Sequence, residues 1–338
     1  MRTAGEEFAM ALHLLGVKPG WIEGSERISG IEILPIAVLD RPRIDVTLRV
    51  SGLFRDVFPT LSSLFQQAID ALAQRAETPE WNPFVTQASG PRIFGPAPGQ
   101  YGLGMGKSAE QFSDAGRQMA AAAWIEASSY AIDGDKIYKA EQALRERVAH
   151  ANSFVHLQDL PETDLLISAD YAAHEGGFAA AKSEIGGPIE LYHIDATNPD
   201  KPTARSLAEE IARVVHARAT HPAWLAGMQR HGFRGAAEIA ATLSHMAAFA
   251  NLADVVGAHL FDSYFEATLG NPDIVQFMAD KNPEALAAMK DCFRQLYEEG
   301  LWNTRRNFIR AELEQKTELE LQNRGYTGHI SPEIEGAR

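Results

Sequence analysis

Arg43–Ser51 reads RIDVTLRVS, and in it Ile44, Val46, Leu48 and Val50 alternate with Asp45, Thr47, Arg49 and Ser51. Successive side chains of a strand point to opposite faces, so a period of two rich in β-branched residues predicts a strand with one apolar face. Gly52 ends it. Pro59 and Thr60 suit a helix start, and beyond them Leu61, Leu64, Phe65, Ala68, Ile69 and Leu72 recur at helical spacing. Strand, loop and amphipathic helix together open an α/β unit, and the rest of the chain must pack against it.

Other segments extend that unit. A helical opening from Phe8 to Leu15 leads to the apolar run Ile31–Leu39, read as a partner strand or a buried loop. Ile189–Ala196 is a further strand, followed by the turn cluster Thr197-Asn198-Pro199-Asp200. Glu77–Gly106 holds five prolines, with five glycines between Gly90 and Gly104, which predicts a shaped loop. Beyond Ser206 the pattern turns helical. Ser206-Leu207-Ala208-Glu209 fits a capping box ahead of the stripe Leu207, Ile211, Val214 and Val215. Further helices are expected near Ala236–Ala250, Leu260–Leu269 and Pro283–Glu299. The expected fold class is α/β, a small strand-containing front half with a loop-rich cleft followed by a mostly α-helical C-terminal half. In residue terms, 1–200 forms the α/β core portion, 201–311 the helical portion and 312–338 a polar tail.

Composition excludes several function classes. One cysteine, Cys292, is too few for a disulfide scaffold or a multi-cysteine metal site. A net charge of −14 disfavours nucleic acid and anionic membranes as partners. No apolar run is long enough to span a bilayer, and the start lacks a signal-peptide pattern, so the expected location is cytoplasmic.

The candidate chemistry lies in loops. Gly99–Ser108, GQYGLGMGKS, ends like a phosphate loop, but Tyr101 stands where the first glycine is needed and no hydrophobic strand precedes it. ATP binding is therefore not expected here. Arg55 and Asp56 sit where the best strand ends, the usual place for ligands in open α/β sheets, and equally suit a structural pair. His174 and Glu175 adjoin the flexible Gly176-Gly177. Neighbours on a regular helix point about 100° apart and cannot chelate one ion, whereas on a loosened backbone they can. A helix end with a surface histidine is the plainer reading. His216 and His221 flank a helix end beside Pro222, which suits solvation or capping. Trp224–Phe233, WLAGMQRHGF, can wall a flat ligand or pack a helix–helix turn.

Six segments in order add to this: RPRIDVTLRVSGLFRDVFP from Arg41, RIFGPAPGQYG from Arg92, HLQDLPETDLL from His156, DYAAHEGGFAAAK from Asp170, HIDATNP from His193 and HPAWLAGMQRHGFRGAAEIAAT from His221. Together they resemble the C-terminal region of the large subunits of aerobic cobaltochelatases (the CobN type) and, more distantly, those of magnesium chelatases. The resemblance runs from Met1 to about Asn307 and covers only the last part of a longer family subunit. It implies ATP-dependent insertion of Co2+, as substrate, into hydrogenobyrinic acid a,c-diamide in cobalamin biosynthesis. ATP and Mg2+ would be used by partner subunits, an AAA+ ATPase and a subunit with an integrin-like domain. The fragment alone is expected to be inactive.

Chelation needs metal ligands, a base for the ring N–H protons and cations for the peripheral carboxylates of the macrocycle. With the resemblance, Glu175 and His174 are the expected metal ligands. Glu175, His174 and His231 are the expected proton-handling residues. Arg55, Arg92 and Arg230 are expected to clamp carboxylates, with Asp56 at the rim and Tyr101 and Trp224 as walls. A magnesium chelatase large subunit acting on protoporphyrin IX, and a non-catalytic tetrapyrrole-binding or subunit-docking fragment, are the alternatives.

Overall fold

The computed structural model describes residues 5–24, 28–87, 90–105, 111–134, 136–311 and 313, and distributes the strands over three sheets. Val17–Trp21 (β1) and Ile28–Ile33 (β2) pair as an antiparallel ribbon. Leu48–Arg49 (β3), Ile93–Gly95 (β4), Tyr130–Asp133 (β5) and Lys136–Lys139 (β6) form a second sheet in that order, with β3 parallel to β4. Ser153–Gln158 (β7), Glu190–Asp195 (β8) and Thr203–Ser206 (β9) form the third, with β7 parallel to β8. The fold is α/β, as the sequence predicts.

The alternation in Arg43–Ser51 makes a face rather than a long strand. Only Leu48 and Arg49 join a ladder. The N–H of Arg43 donates to the Trp81 carbonyl and that of Ile44 to the Leu14 carbonyl, so a loop and a helix end satisfy the first half instead. The period still sets the packing. Leu48 and Val50 join Ile93 and Ile132 in a front core with Phe8, Leu12, Phe65 and Ile69. Phe94 and Ala131, one residue out of step on the same sheet, belong to a larger second core. The β3–β6 sheet is thus the wall between two cores.

In the front half, helices Glu6–Leu15 and Pro59–Ala73 lie where the apolar spacing puts them. A helix, Gly52–Val57, replaces the expected loop after β3. The Ser51 hydroxyl caps it by accepting from the Phe54 N–H. Glycine is required at 52 because a Cβ there would lie 2.3 Å from the Gln100 carbonyl oxygen. The run Ile31–Leu39 divides between β2 and a helical turn, Ile36–Leu39. The proline-rich stretch also holds a turn of helix, Phe84–Gln87, and β4.

After β9 the described residues are helical. The capping box forms as expected: Ser206 accepts from the Glu209 N–H while the Glu209 carboxylate accepts from the Ser206 N–H. Helices follow at Pro222–Arg230, Gly232–Ala253, Ala258–Ala267, Pro272–Lys281 and Pro283–Glu298. They share the second core with Trp124, Phe178 and Leu191, so packing does not break at the last strand. Among the described residues no helix is long and apolar enough to cross a membrane. Of the polar tail (residues 312–338) only Leu313 is described, and Gly106-Lys107-Ser108 lie outside the described residues.

Candidate metal centre

β7 and β8 run parallel, so the chain between them must cross over, and a helix from that crossover lies against the sheet. His156 on β7 and His193 on β8 are register partners and therefore share a face. Ser168 caps Ala169–Tyr171, which continues as a π-helical turn, Ala172–Gly176, and then as the helix Gly177–Ile185. A π turn adds a residue to the α-helical turn and re-aims side chains, which is why such turns recur at functional sites. Here it brings Glu175 onto both histidines.

Glu175 Oε1 lies 2.9 Å from His156 Nδ1 and 3.0 Å from His193 Nδ1. Its second oxygen, Oε2, is buried without a hydrogen-bond partner. Glu175 and His193 are fully buried, whereas the His156 side chain is 24% exposed, so the cluster opens to solvent at His156. Tyr171 packs its ring against both imidazoles, at 5.4 and 5.8 Å between centroids, and closes one side.

Gln158 fixes the orientation of His193. Its amide nitrogen donates to the carbonyls of Leu160 and Thr163, which can only accept. Its oxygen is thereby turned to His193 Nε2, 3.2 Å away, so Nε2 must carry the proton. Nδ1 is then the nitrogen left to face Glu175. A lone pair there against a carboxylate oxygen repels, and the arrangement is stable only with a proton or a cation between them.

The electrostatics agree. Burial alone would raise the Glu175 carboxyl, yet hydrogen bonds from His156 and His193 and their charge hold it below the usual carboxylate range. Burial would lower His156, but the bond to Glu175, its charge and that of Glu7 lift the imidazole above its ordinary value, with Arg49 opposing. Glu7 reaches the site from the first helix, accepting the Leu157 N–H.

His156, Glu175 and His193 offer ligand atoms that all lie within 4.8 Å of one another. Two ligands about 2.1 Å from one ion and at right angles are about 3 Å apart. The 2.9 and 3.0 Å separations already have that spacing. A cation would also satisfy the orphaned Oε2 or replace the shared proton. Two imidazoles and a carboxylate are a donor set suited to cobalt, whereas magnesium prefers oxygens.

The sequence placed Glu175 here and missed its partners. His174 sits beside the cluster, its ring 5.8 Å from that of His156, but His156 and His193 complete the ligand set. The backbone at 172–176 is neither the regular helix nor the loop considered from sequence. Arg55 and Arg92 spend donors on protein groups. Arg55 donates to Asp56 and to the carbonyls of Pro96 and Ala97, and Tyr101 closes the same group through Asp56 at 2.9 Å. Arg92 is buried against Asp45 at 2.7 Å, with Phe84 under its guanidinium. Both hold protein groups, because the loop and sheet edge around them need donors for buried carbonyls and carboxylates. Arg230 is exposed at the end of its helix. Trp224 and His231 line a separate cavity of about 360 Å³, where Arg218 stacks on Trp224 and pairs with Asp164. His231 is thus not part of the metal cluster. His221 caps its helix by accepting from the Ala223 N–H, the bland role expected of it.

Comparisons with known proteins bear on the same residues. A family model described as CobN/Magnesium Chelatase matches residues 1–309. The chain is 40% identical to the aerobic cobaltochelatase subunit CobN of a Sinorhizobium species, over 93% of this chain and 26% of that protein. A magnesium-chelatase subunit of Chlorobaculum parvum is 24% identical over 95% of this chain and 26% of its own length. Among solved structures, the catalytic subunit of cobaltochelatase from Mycobacterium tuberculosis superposes with a TM-score of 0.84 at 29% identity, covering 94% of this chain and 28% of that one. The chain spans about a quarter of the length of these relatives.

Proposed function

The chain belongs to the CobN/magnesium chelatase family, and from that premise we propose that it supplies the metal-handling part of a cobaltochelatase large subunit, delivering Co2+ to hydrogenobyrinic acid a,c-diamide. The observation that carries this reading is the His156–Glu175–His193 cluster, buried on two sides and open at His156.

Metal insertion strips water from the ion, removes ring N–H protons and passes the ion to the ring nitrogens. His156 Nδ1, His193 Nδ1 and Glu175 Oε1 replace part of the hydration shell of Co2+, the metal substrate. They leave the side toward His156 for the macrocycle. His156, at the open edge of the cluster, is the base that takes a ring proton as the metal leaves, and the buried Glu175 carboxylate stabilises the imidazolium that results. Tyr171 shields the histidines from water on one side. Energy for the cycle comes from ATP hydrolysed by partner subunits, an AAA+ ATPase and a subunit with an integrin-like domain. The complex works in the cytoplasm, in cobalamin biosynthesis.

Cobalt is favoured over magnesium by the two imidazoles, and the identities run the same way, 40% to a cobaltochelatase subunit against 24% to a magnesium one. The test is titration of the protein with Co2+ and Mg2+, followed by calorimetry and the visible spectrum of bound cobalt. One Co2+ should bind through nitrogen and oxygen donors, with Mg2+ at least about 10-fold weaker. His156→Ala, His193→Ala and Glu175→Gln should each weaken Co2+ by about 10-fold or more. Wild-type affinity in all three would sink the assignment.

A further inference from the structure

The field at His156 includes a cation whose partner is missing. Arg49 lies on β3 between Leu48 and Val50, which face the front core, so its side chain emerges on the opposite face of the sheet. There it is partly buried and held by two long bonds to neutral acceptors. Nε donates to Ser128 Oγ at 3.2 Å and Nη2 to the Ala127 carbonyl at 3.4 Å. Among the described residues Arg49 forms no ion pair and Nη1 has no hydrogen-bond partner. Burial lowers its guanidinium to about 10 with no carboxylate to offset it. The contrast with Arg43, Arg55, Arg92 and Arg218 is plain, since each of these largely buried cations has a carboxylate within 3 Å. Its charge is felt at His156, the open edge of the cluster.

We infer that Arg49 is a carboxylate-binding residue, taking one rim carboxylate of an anionic tetrapyrrole and setting the ring beside His156. This rests on the chain being a tetrapyrrole-binding subunit and names how that substrate is recognised. A guanidinium presents paired donors to a carboxylate, and a partly desolvated one binds more strongly than one in water. On a protein of charge −14, an unpaired cation beside the site also directs a polyanion to it.

The test compares two probes, uroporphyrin and its neutral amide, by absorbance titration on wild type, Arg49→Gln and Arg49→Lys. Co2+ affinity and melting temperature are measured on each protein. Wild type should prefer the free acid. Arg49→Gln should lose about 10- to 100-fold in free-acid affinity with no change toward the amide, and Arg49→Lys should recover part of the loss. Co2+ affinity should stay the same or rise, since a repelling charge is gone. Wild type that binds both probes alike, or neither, overturns the clamp. So does an Arg49→Gln variant that loses only melting temperature, which would make Arg49 a structural donor to Ser128 and Ala127. Loss of Co2+ binding in wild type would instead overturn the metal reading and leave any carboxylate preference standing, so the two failures are distinguishable.

Discussion

Gln158 decides which face of His193 is reactive, and it does so through hydrogen bonds two steps from any metal. Outer partners of metal-bound histidines fix tautomer and ring orientation, and their loss typically costs about 10- to 100-fold in affinity. Replacing Gln158 with Leu keeps the volume but removes the acceptor for Nε2–H, leaving a buried donor unpaired. Co2+ affinity should fall by about 10-fold or more, read by calorimetry, and the downfield N–H resonance of His193 should shift or broaden. Unchanged affinity together with an unchanged resonance would mean that Gln158 does not set the tautomer. Cys292 makes a second case at this scale. Burial pushes its thiol up to about 12, and Asp291 adds to the shift, so little thiolate exists near neutrality. Native protein near neutral pH should resist iodoacetamide for hours, while unfolded protein reacts at once. Rapid native labelling would show that the helix Pro283–Glu298 opens readily.

The element that matters most is the π turn Ala172–Gly176, and two glycines make its close packing possible. A Cβ on Gly176 would lie 2.9 Å from Leu252 Cβ, and one on Gly177 would lie 2.7 Å from Trp124 Cδ1. Both neighbours belong to the second core and have little room to move. Gly177→Ala should therefore destabilise by about 1–3 kcal/mol, and it should weaken Co2+ binding as well, because the crossover would lift Glu175 from the histidines. Denaturant melts with metal titrations check both effects, and stability lost with affinity unchanged would separate the packing from the site. The Gly176-Gly177 pair was legible as a place of unusual backbone; its meaning was not. Sequence patterns report one element at a time, so the helix Pro59–Ala73 and the Ser206 capping box could be read directly. The parallel register that sets His156 opposite His193 depends on long-range pairing that neither HLQ nor HID encodes alone. Arg55 and Arg92 are ambiguous for a related reason. Their residue type fits a carboxylate equally well whether it belongs to substrate or to Asp56 and Asp45. Arg49 stood on the polar face of the most legible strand and gave no local sign that it lacks a partner.

At the scale of the molecule, two cores meet at the β3–β6 sheet, and the front one is much the smaller. A small core depends more on its polar ties. The main tie is Arg43, whose buried guanidinium donates to the carbonyls of Leu15, Gly16 and Leu34 and to both oxygens of Glu77, at 2.8 and 2.9 Å. Asn82 donates to the same carboxylate. One ion pair thus joins the end of the first helix, the β1–β2 ribbon and the loop after Pro59–Ala73. The hydrogen bond from Arg43, with burial opposing and the charges of Arg43 and Arg75 assisting, holds the Glu77 carboxyl below its ordinary range. A carboxyl lowered on folding contributes stability that is fully present above its unfolded value, about 4.3, and is lost as pH falls through the lower folded value. Protonation would leave Arg43 buried without its counter-charge, so the front core should open before the back core as pH drops below about 4. Hydrogen exchange followed from neutral pH down to about 3 should show protection lost first in Phe8–Leu15 and Leu64–Leu72, with Phe249 and Phe261 still protected. Glu77→Ala should cost about 3 kcal/mol near neutral pH and remove most of that acid dependence. Because Glu7, on the first helix, reaches β7 beside His156, opening of the front core should also release one wall of the metal site. Co2+ binding in Glu77→Ala should therefore fall with front-core protection at neutral pH, where wild type keeps both. Full affinity in a variant whose front core is open would show that the cluster is held by the second core alone.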